Sequence, residues 1–331
     1  MTHRRATRRR PDIRDPLADV LAVLYDRGEA YVAPDELAAA TGLSGSQLSD
    51  ALEKLRRRGC GIEQSPAEGL RLLRPTVLHP VLIEPRLETR RVGRSVICFD
   101  EVDSTNDVTF DSACRDDSDG LAVFAEAQRS GRGRLGRGWV SQPGRNVLMS
   151  VLLSAGSAAK SHEALTVAAG LAVAEALDAF GVDCLLKWPN DVLLDTVKVA
   201  GVMVELRDGC AVIGCGVNVN AAPPAGEVDF PATCLAETVG HPLERAEVAR
   251  EMLRRLDEWV EHVETGRFGP LHDAFTSRCA TINRRVEVRC GRRKYAGRAL
   301  DVSPLEGLVL LSDEGRRLHV PAAGSTILSW K

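Results

Sequence analysis

The sequence predicts an α+β multidomain protein: an N-terminal winged helix-turn-helix, a central mixed α/β domain and a small C-terminal β-barrel. Three observations predict it. Residues 17–58 carry three short helical patterns, and GCGIEQSPAEGLRLL behind them reads as a hairpin. From about residue 95, short apolar strand patterns mix with helical ones. From about 281 only short alternating strands with Gly and Asp turns remain, over roughly 50 residues, near the lower limit of independent folding. The expected boundaries are a basic disordered tail at 1–15, the winged helix at 16–75, a proline-rich linker at 76–94, the central domain at 95–278 and the barrel at 279–331.

Each element has a local reason. LADVLAVLYDR has helical periodicity. Pro34 suits the first turn of the next helix and Gly42 its end. Ser44 suits a cap, and Leu48, Leu52 and Leu55 share one face of the helix it opens. RPTVLHPVLIEP holds three prolines, hence the linker. SVICFDEV, LAVFAEAQ and NVLMSVLLS are strands, and DSTNDVTFDSAC starts a helix. EALTVAAGLAVAEALDAFG is a long helix of small residues, able to lie close on a sheet, ended by Gly181. CLLKWPNDVLL, KVAGVMVEL and CAVIGCGVNVN are consecutive strands with turns at Asn190-Asp191 and Asp208-Gly209. AEVAREMLRRLDEWVEHV is amphipathic.

Composition narrows the function classes. The 331 residues carry a net charge of −3, so the chain as a whole is no general polyanion binder. MTHRRATRRR reads as a solvated tail, with loose nucleic-acid contact as the lesser alternative. No apolar run spans a membrane, and no signal-peptide core is expected. Nine cysteines without a CxxC pair point to reduced thiols in a cytoplasm and against structural zinc, so no metal-ligand set is expected.

Four stretches carry chemistry. The first is AEAQRSGRGRLGRGW, residues 125–139. Its glycines formally match GxGxxG, yet WVSQPGRNVL follows, which is no helix, so the dinucleotide fingerprint fails. Phosphate would therefore meet arginines. Guanidinium forks bind phosphate oxygens bidentately and glycines admit close approach, which marks Arg132, Gly133, Arg134 and Arg137. Such a loop can order over a ligand and shut out water. The alternative, a solvated loop, leaves the entropy cost of four glycines without purpose. The second stretch, LKWPNDVLLDTVKVAG, places Lys187, Asn190 and Asp191 at an ordinary turn. Lys198 then interrupts an apolar strand before Gly201, either as an edge charge or as a cation in a site. The third is GCGVNVN. Gly214 and Gly216 suggest close approach by a ligand, and Asn218 and Asn220 face one side. The fourth is Ser104-Thr105-Asn106, where Ser104 with Asp107 matches a capping box. Trp139 is either a stacking lid or a core residue.

Together these pieces resemble the biotin protein ligases of the bifunctional ligase/repressor type. DSTN, QRSGRGRLGRGW, KWPNDVLL, KVAG and GCGVNVN occur in that family's order and spacings. The resemblance covers nearly the whole chain. It implies a biotin/lipoyl-ligase-like catalytic domain and an SH3-like barrel. It implies formation of biotinyl-5'-AMP from biotin and ATP with Mg²⁺, then transfer to a lysine of the biotin carboxyl carrier protein of acetyl-CoA carboxylase. Implied biotin and adenylate positions are Ser104, Thr105, Asn106, Gln128, Arg132, Gly133, Arg134, Arg137, Lys187, Asn190, Lys198 and Gly201, with Gly214 and Gly216 beside the ring system and Trp139 available for stacking. Arg132, Arg134 and Lys198 supply charge, Asp191 orients the acceptor lysine, and Asn218 and Asp191 neighbour the magnesium. Leu135 departs from the polar or basic residue common at its position. A lipoate or octanoate ligase is the alternative, against which GRGR and KWPND argue.

The resemblance also implies operator DNA as a partner, bound by a homodimer when adenylate is present. Residues 1–75 hold 13 Lys/Arg against 11 Asp/Glu and are only weakly basic. The helix opening SGSQLSDALEKLRRR offers Ser44, Ser46 and Gln47 to DNA, while its arginines come late and Asp50 and Glu53 oppose a phosphate backbone. A winged helix that packs without binding DNA is the alternative.

Overall fold

The structure, a computed structural model, describes residues 15–113, 118–154, 156, 161–228 and 230–331; the expected basic tail lies almost wholly outside them. The chain divides into two compact units at Thr76/Val77.

The first unit has three helices, α1 (Pro16–Asp26), α2 (Pro34–Thr41) and α3 (Gly45–Arg57), then an antiparallel hairpin of β1 (Ile62–Ser65) and β2 (Gly69–Leu72). Its local signals act as read. Asp15 caps α1, Pro34 opens α2, and Gly42 ends it at φ 68°. Leu48, Leu52 and Leu55 turn inward from α3 onto Leu21 and Leu24 of α1, all buried.

The second unit begins with a correction. Residues 76–94 are not a free linker. A short helix, α4 (Pro80–Ile83), buries Leu82 and Ile83. Side chains of a later helix, α8 (Arg245–Glu264), satisfy the backbone of this stretch. Asp257 accepts from the amides of Arg90, Arg91 and Val92 at 2.7, 2.9 and 2.8 Å, Arg250 donates to Leu82 O at 2.6 Å, and Arg254 to Arg86 O at 2.7 Å. Glu126, itself paired with the buried Arg245 at 2.5 Å, accepts from Leu78 N at 2.6 Å. Regular structure is short here, and the backbone groups it leaves unpaired find distant partners instead.

A seven-stranded sheet follows, in the order β3-β4-β5-β9-β8-β7-β6. Its strands are β3 (Ser95–Val102), β4 (Leu121–Gln128), β5 (Val147–Leu153), β6 (Leu185–Lys187), β7 (Asp191–Leu194), β8 (Val197–Arg207) and β9 (Cys210–Val217). β3 and β4 are parallel, and every other pair is antiparallel. Helix α5 (Thr105–Ser112) follows β3 and packs Val108 and Phe110 against Leu121, Val123, Leu152 and Val212. Helix α6 (His162–Asp178) is buried almost all round, as its small apolar residues require. It lies on β8 and β9 and is backed by α8 (Arg245–Glu264), with α7 (Leu235–Val239) before that helix and α9 (Phe268–Arg278) after it.

The chain ends in a five-stranded antiparallel sheet ordered β13-β12-β11-β10-β14, made of β10 (Arg285–Cys290), β11 (Arg293–Ser303), β12 (Gly307–Leu311), β13 (Arg317–Val320) and β14 (Ser325–Trp330). Val286, Val288, Val302, Leu308 and Leu310 form its core. Among the described residues no helix is long and apolar enough to cross a membrane, and the cysteines are free thiols.

Candidate functional site

The edges of β4, β7, β8, β9 and β14 and the start of α5 surround one cleft of about 600 Å³, within the size range of small-molecule sites. Every residue that the sequence analysis placed at the ligand site lines it.

One side of the cleft is a buried hydrogen-bond chain. Ser150 on β5, fully buried, donates to Thr105 Oγ1 at 2.7 Å or to Asn106 Oδ1 at 2.6 Å. Gln128 Oε1 accepts from Thr105 N at 2.7 Å, and Asn106 Nδ2 donates to Glu205 Oε2 at 2.7 Å. The amides are thereby fixed in orientation before any ligand arrives. Gly214 makes room for this chain: a Cβ there would lie 2.4 Å from Asn106 Oδ1.

The glycine–arginine segment folds back as a tight hairpin. Gly133 N donates to Arg137 O at 2.8 Å and Trp139 N to Gly131 O at 2.9 Å. At its tip Leu135 (φ 58°) and Gly136 (φ 76°) take the left-handed region, and the Leu135 side chain is exposed. Trp139 lies on the sheet, where a Cβ on Gly216 would come within 2.4 Å of its ring. The close approach inferred at Gly214 and Gly216 is thus made by Asn106 and Trp139. The Trp139 Nε1 is buried and has no hydrogen-bond partner among the described residues.

The cations are anchored differently. Arg134 is half-buried; Nη1 donates to Asn190 Oδ1 at 3.1 Å, and Nη2 meets the carbonyls of Ala322 and Ser325. Burial lowers its pKa from the usual arginine value. Arg137 donates to Thr326 Oγ1 at 2.8 Å. Arg132 is forked onto Asp107, and that bond holds the Asp107 carboxyl below the usual range. The capping box expected at Ser104 is corrected: Ser104 makes no side-chain cap, and the Asp107 carboxylate that would supply the reciprocal bond is engaged by the arginine fork. Lys198 Nζ lies 2.5 Å from Asp191 Oδ1, with both side chains largely buried. Lys187, whose ammonium stands 5.1 Å from the Trp330 ring, has its pKa lowered by burial first, then by Lys198 and Arg137.

Sequence reasoning missed Ser325, Thr326, Ile327, Leu328 and Trp330 on β14, which line the cleft from the C-terminal sheet. It also missed Phe230, Ser150 and Glu205. Nothing local marks β14, which lies about 190 residues from the arginines it holds.

In the first unit, Ser44 and Gln47 bond each other as a full capping box, with Ser44 N to Gln47 Oε1 at 2.9 Å, and Ser46 Oγ is 3.2 Å from Ser44 Oγ. Arg57 pairs with Glu53, and Arg56 with Gln64 at 3.4 Å.

Residues 98–218 match the biotin/lipoate A/B protein ligase family. The biotin–acetyl-CoA-carboxylase ligase of Mycobacterium tuberculosis is 32% identical over 263 residues, covering 76% of this chain and 97% of that protein. The bifunctional ligase/repressor BirA of Bacillus subtilis is 29% identical over 310 residues, covering 90% of this chain and 94% of its own. The biotin protein ligase of Aquifex aeolicus in complex with biotin and ATP superposes with a TM-score of 0.61 at 29% identity, over 71% of this chain and 98% of that one.

Proposed function

The chain belongs to the biotin protein ligase family, and on that premise we propose that it is an ATP-dependent biotin protein ligase, which joins biotin to AMP and then biotinylates a lysine of a biotin carboxyl carrier protein. The observation that carries the reading is the meeting of Arg132, Arg134 and Lys198 at one cleft floored by Trp139 and two strand glycines. In the first step a biotin carboxylate oxygen attacks the α-phosphorus of ATP and pyrophosphate leaves. Charge grows on phosphoryl oxygens, and preformed cations lower that barrier more than any proton transfer. Arg132, Arg134 and Lys198 are the residues assigned to it, with Lys187 and Arg137 behind them. The fixed amides of Asn106 and Gln128 orient the biotin ring system. In the second step the carrier lysine, once it has lost its ammonium proton to solvent, attacks the acyl carbon as the free amine; the bond to AMP breaks, the nitrogen releases its surplus proton to solvent, and Asp191 orients the incoming amine.

Among the described residues no cluster of three or more His, Cys, Asp and Glu fits a metal cage. Magnesium in this reading arrives on the phosphates, as it does where one or two protein oxygens suffice. Asn218 Oδ1, buried without a hydrogen-bond partner among the described residues, and Asp191 are the protein oxygens assigned near it, and the ion would neutralise phosphate charge.

Arg134→Ala tests the reading through retention of the intermediate. Wild type should hold biotinyl-5'-AMP through gel filtration. The variant, losing a cation and the tie to Ala322 and Ser325, should release it at least about tenfold faster. Equal retention would remove Arg134 from the site.

A second activity is favoured by the first unit, whose three helices and hairpin have the layout of a winged helix-turn-helix, and by the ligase/repressor of B. subtilis, which matches 90% of this chain. We infer repression of biotin genes by an adenylate-bound homodimer in the cytoplasm, with Ser44, Ser46 and Gln47 at the DNA. The capping box already engages two of these side chains, so specific binding should be modest. DNA upstream of biotin genes should be retarded only when adenylate is bound, with a steep salt dependence. Absence of any adenylate-dependent shift would leave the unit a packing module.

A further inference from the structure

We propose that Asp107 is an internal competitor for Arg132, tuning how tightly the site holds the ligand's anionic group. The inference rests on the ligase reading above. Asp107 stands in the first turn of α5, and its two oxygens take Arg132 Nη1 and Nη2 at 2.5 and 2.7 Å. Glu205 Oε2 lies 3.6 Å from the same Nη2 and is held in place by Asn106. The terminal edge of the guanidinium, one of the two that can fork onto a carboxylate or a phosphate, is therefore already filled from within the protein.

The other loop arginines lining the cleft are treated otherwise. Arg134 meets only neutral acceptors, Asn190 Oδ1 and two carbonyls, and Arg137 meets the Thr326 hydroxyl. Neutral acceptors orient a guanidinium and leave its charge for the ligand; a carboxylate cancels it. Of these three arginines, Arg132 alone carries a bonded counter-ion. Ser104 forms no side-chain cap, and the carboxylate's local role is its favourable place in the first turn of α5. The Arg132 bonds push the Asp107 carboxyl below its usual range.

An incoming carboxylate or phosphate must either displace Asp107 from the fork or bind beside it against its charge. Both routes weaken binding of an anion, and neither affects a neutral ligand. Asp107 thus shortens the lifetime of the bound adenylate and favours its delivery to the acceptor.

The test uses the full-length protein and the variants Asp107→Asn and Asp107→Glu. Biotin and its neutral methyl ester are titrated at low and high salt, and the half-life of bound biotinyl-5'-AMP is measured. Asp107→Asn should bind biotin and retain the adenylate about three- to fivefold more tightly, the range for a partly exposed ion pair. The gain should shrink at high salt, the ester should bind both proteins equally, and Asp107→Glu should stay near wild type. A merely structural Asp107 would weaken biotin and ester together in the Asn variant. That result, or unchanged biotin affinity beside a competent wild type, would overturn the inference alone. A wild type that neither binds biotin nor forms the adenylate would overturn the ligase reading and this inference with it.

Discussion

Lys198→Met should slow biotin-dependent pyrophosphate exchange by about 10²–10³-fold, the usual cost of removing one preorganised electrostatic donor. The backbone around Lys198 is pinned on both sides: its amide donates to Pro231 O at 3.2 Å and its carbonyl accepts from Thr233 N at 3.0 Å. The side chain has little freedom, with its ammonium 2.5 Å from Asp191 and 5.6 and 5.3 Å from the rings of Trp139 and Phe230. Methionine keeps the stem volume and deletes the charge. It also leaves Asp191 a largely buried anion without its cation, which by itself costs stability. The double variant Lys198→Met/Asp191→Asn removes that cost. It should recover thermal stability and remain slow in exchange. A single variant with more than about a tenth of the wild-type rate would show that Lys198 is only an edge charge.

Gly216→Val should abolish measurable biotin binding at micromolar concentration. The glycine lies within β9, paired with Leu148 and Gly201, in ordinary strand conformation, so its need is for space and not for an unusual backbone angle. A Cβ would meet the Trp139 ring at 2.4, 2.6 and 2.8 Å, closer than real contacts allow. A Cβ on Gly201, on the next strand, would also stand 3.2 Å from the ring, so the indole lies over both glycines. The indole must leave, and the Gly131–Trp139 backbone bond ties the arginine hairpin to it. Overpacking of this kind costs about 1–3 kcal/mol, which the sheet can absorb while the site cannot. Isothermal titration beside a thermal melt separates the two effects. Normal biotin affinity in a folded variant would refute the placement of Trp139.

The sequence reveals local features well and distant partnerships poorly. LAVFAEAQ and SVICFDEV match β4 and β3, because apolar runs bounded by turn residues have few other fates. The long helix at 162–178 is legible from its small residues, and the KWPND turn becomes the β6–β7 hairpin. The proline-rich stretch after Thr76 misleads, since the donors and acceptors that order it sit about 170 residues away on α8. Asp107 misleads for a related reason: local spacing suggests a capping box, whereas its carboxylate is taken by a tertiary arginine. GCGVNVN announces close approach truthfully but not what approaches. The β14 wall has no motif, because its contacts with Arg134 run largely through backbone carbonyls that any residue can offer.

Isothermal titration of biotin into the full-length protein, first alone and then with ATP and magnesium, decides the ligase reading. It predicts tight binding of biotin, a further heat when ATP is added, and an adenylate that stays with the protein. Binding of lipoate or octanoate with none of biotin would contradict it, leaving the fold in place and the substrate wrong.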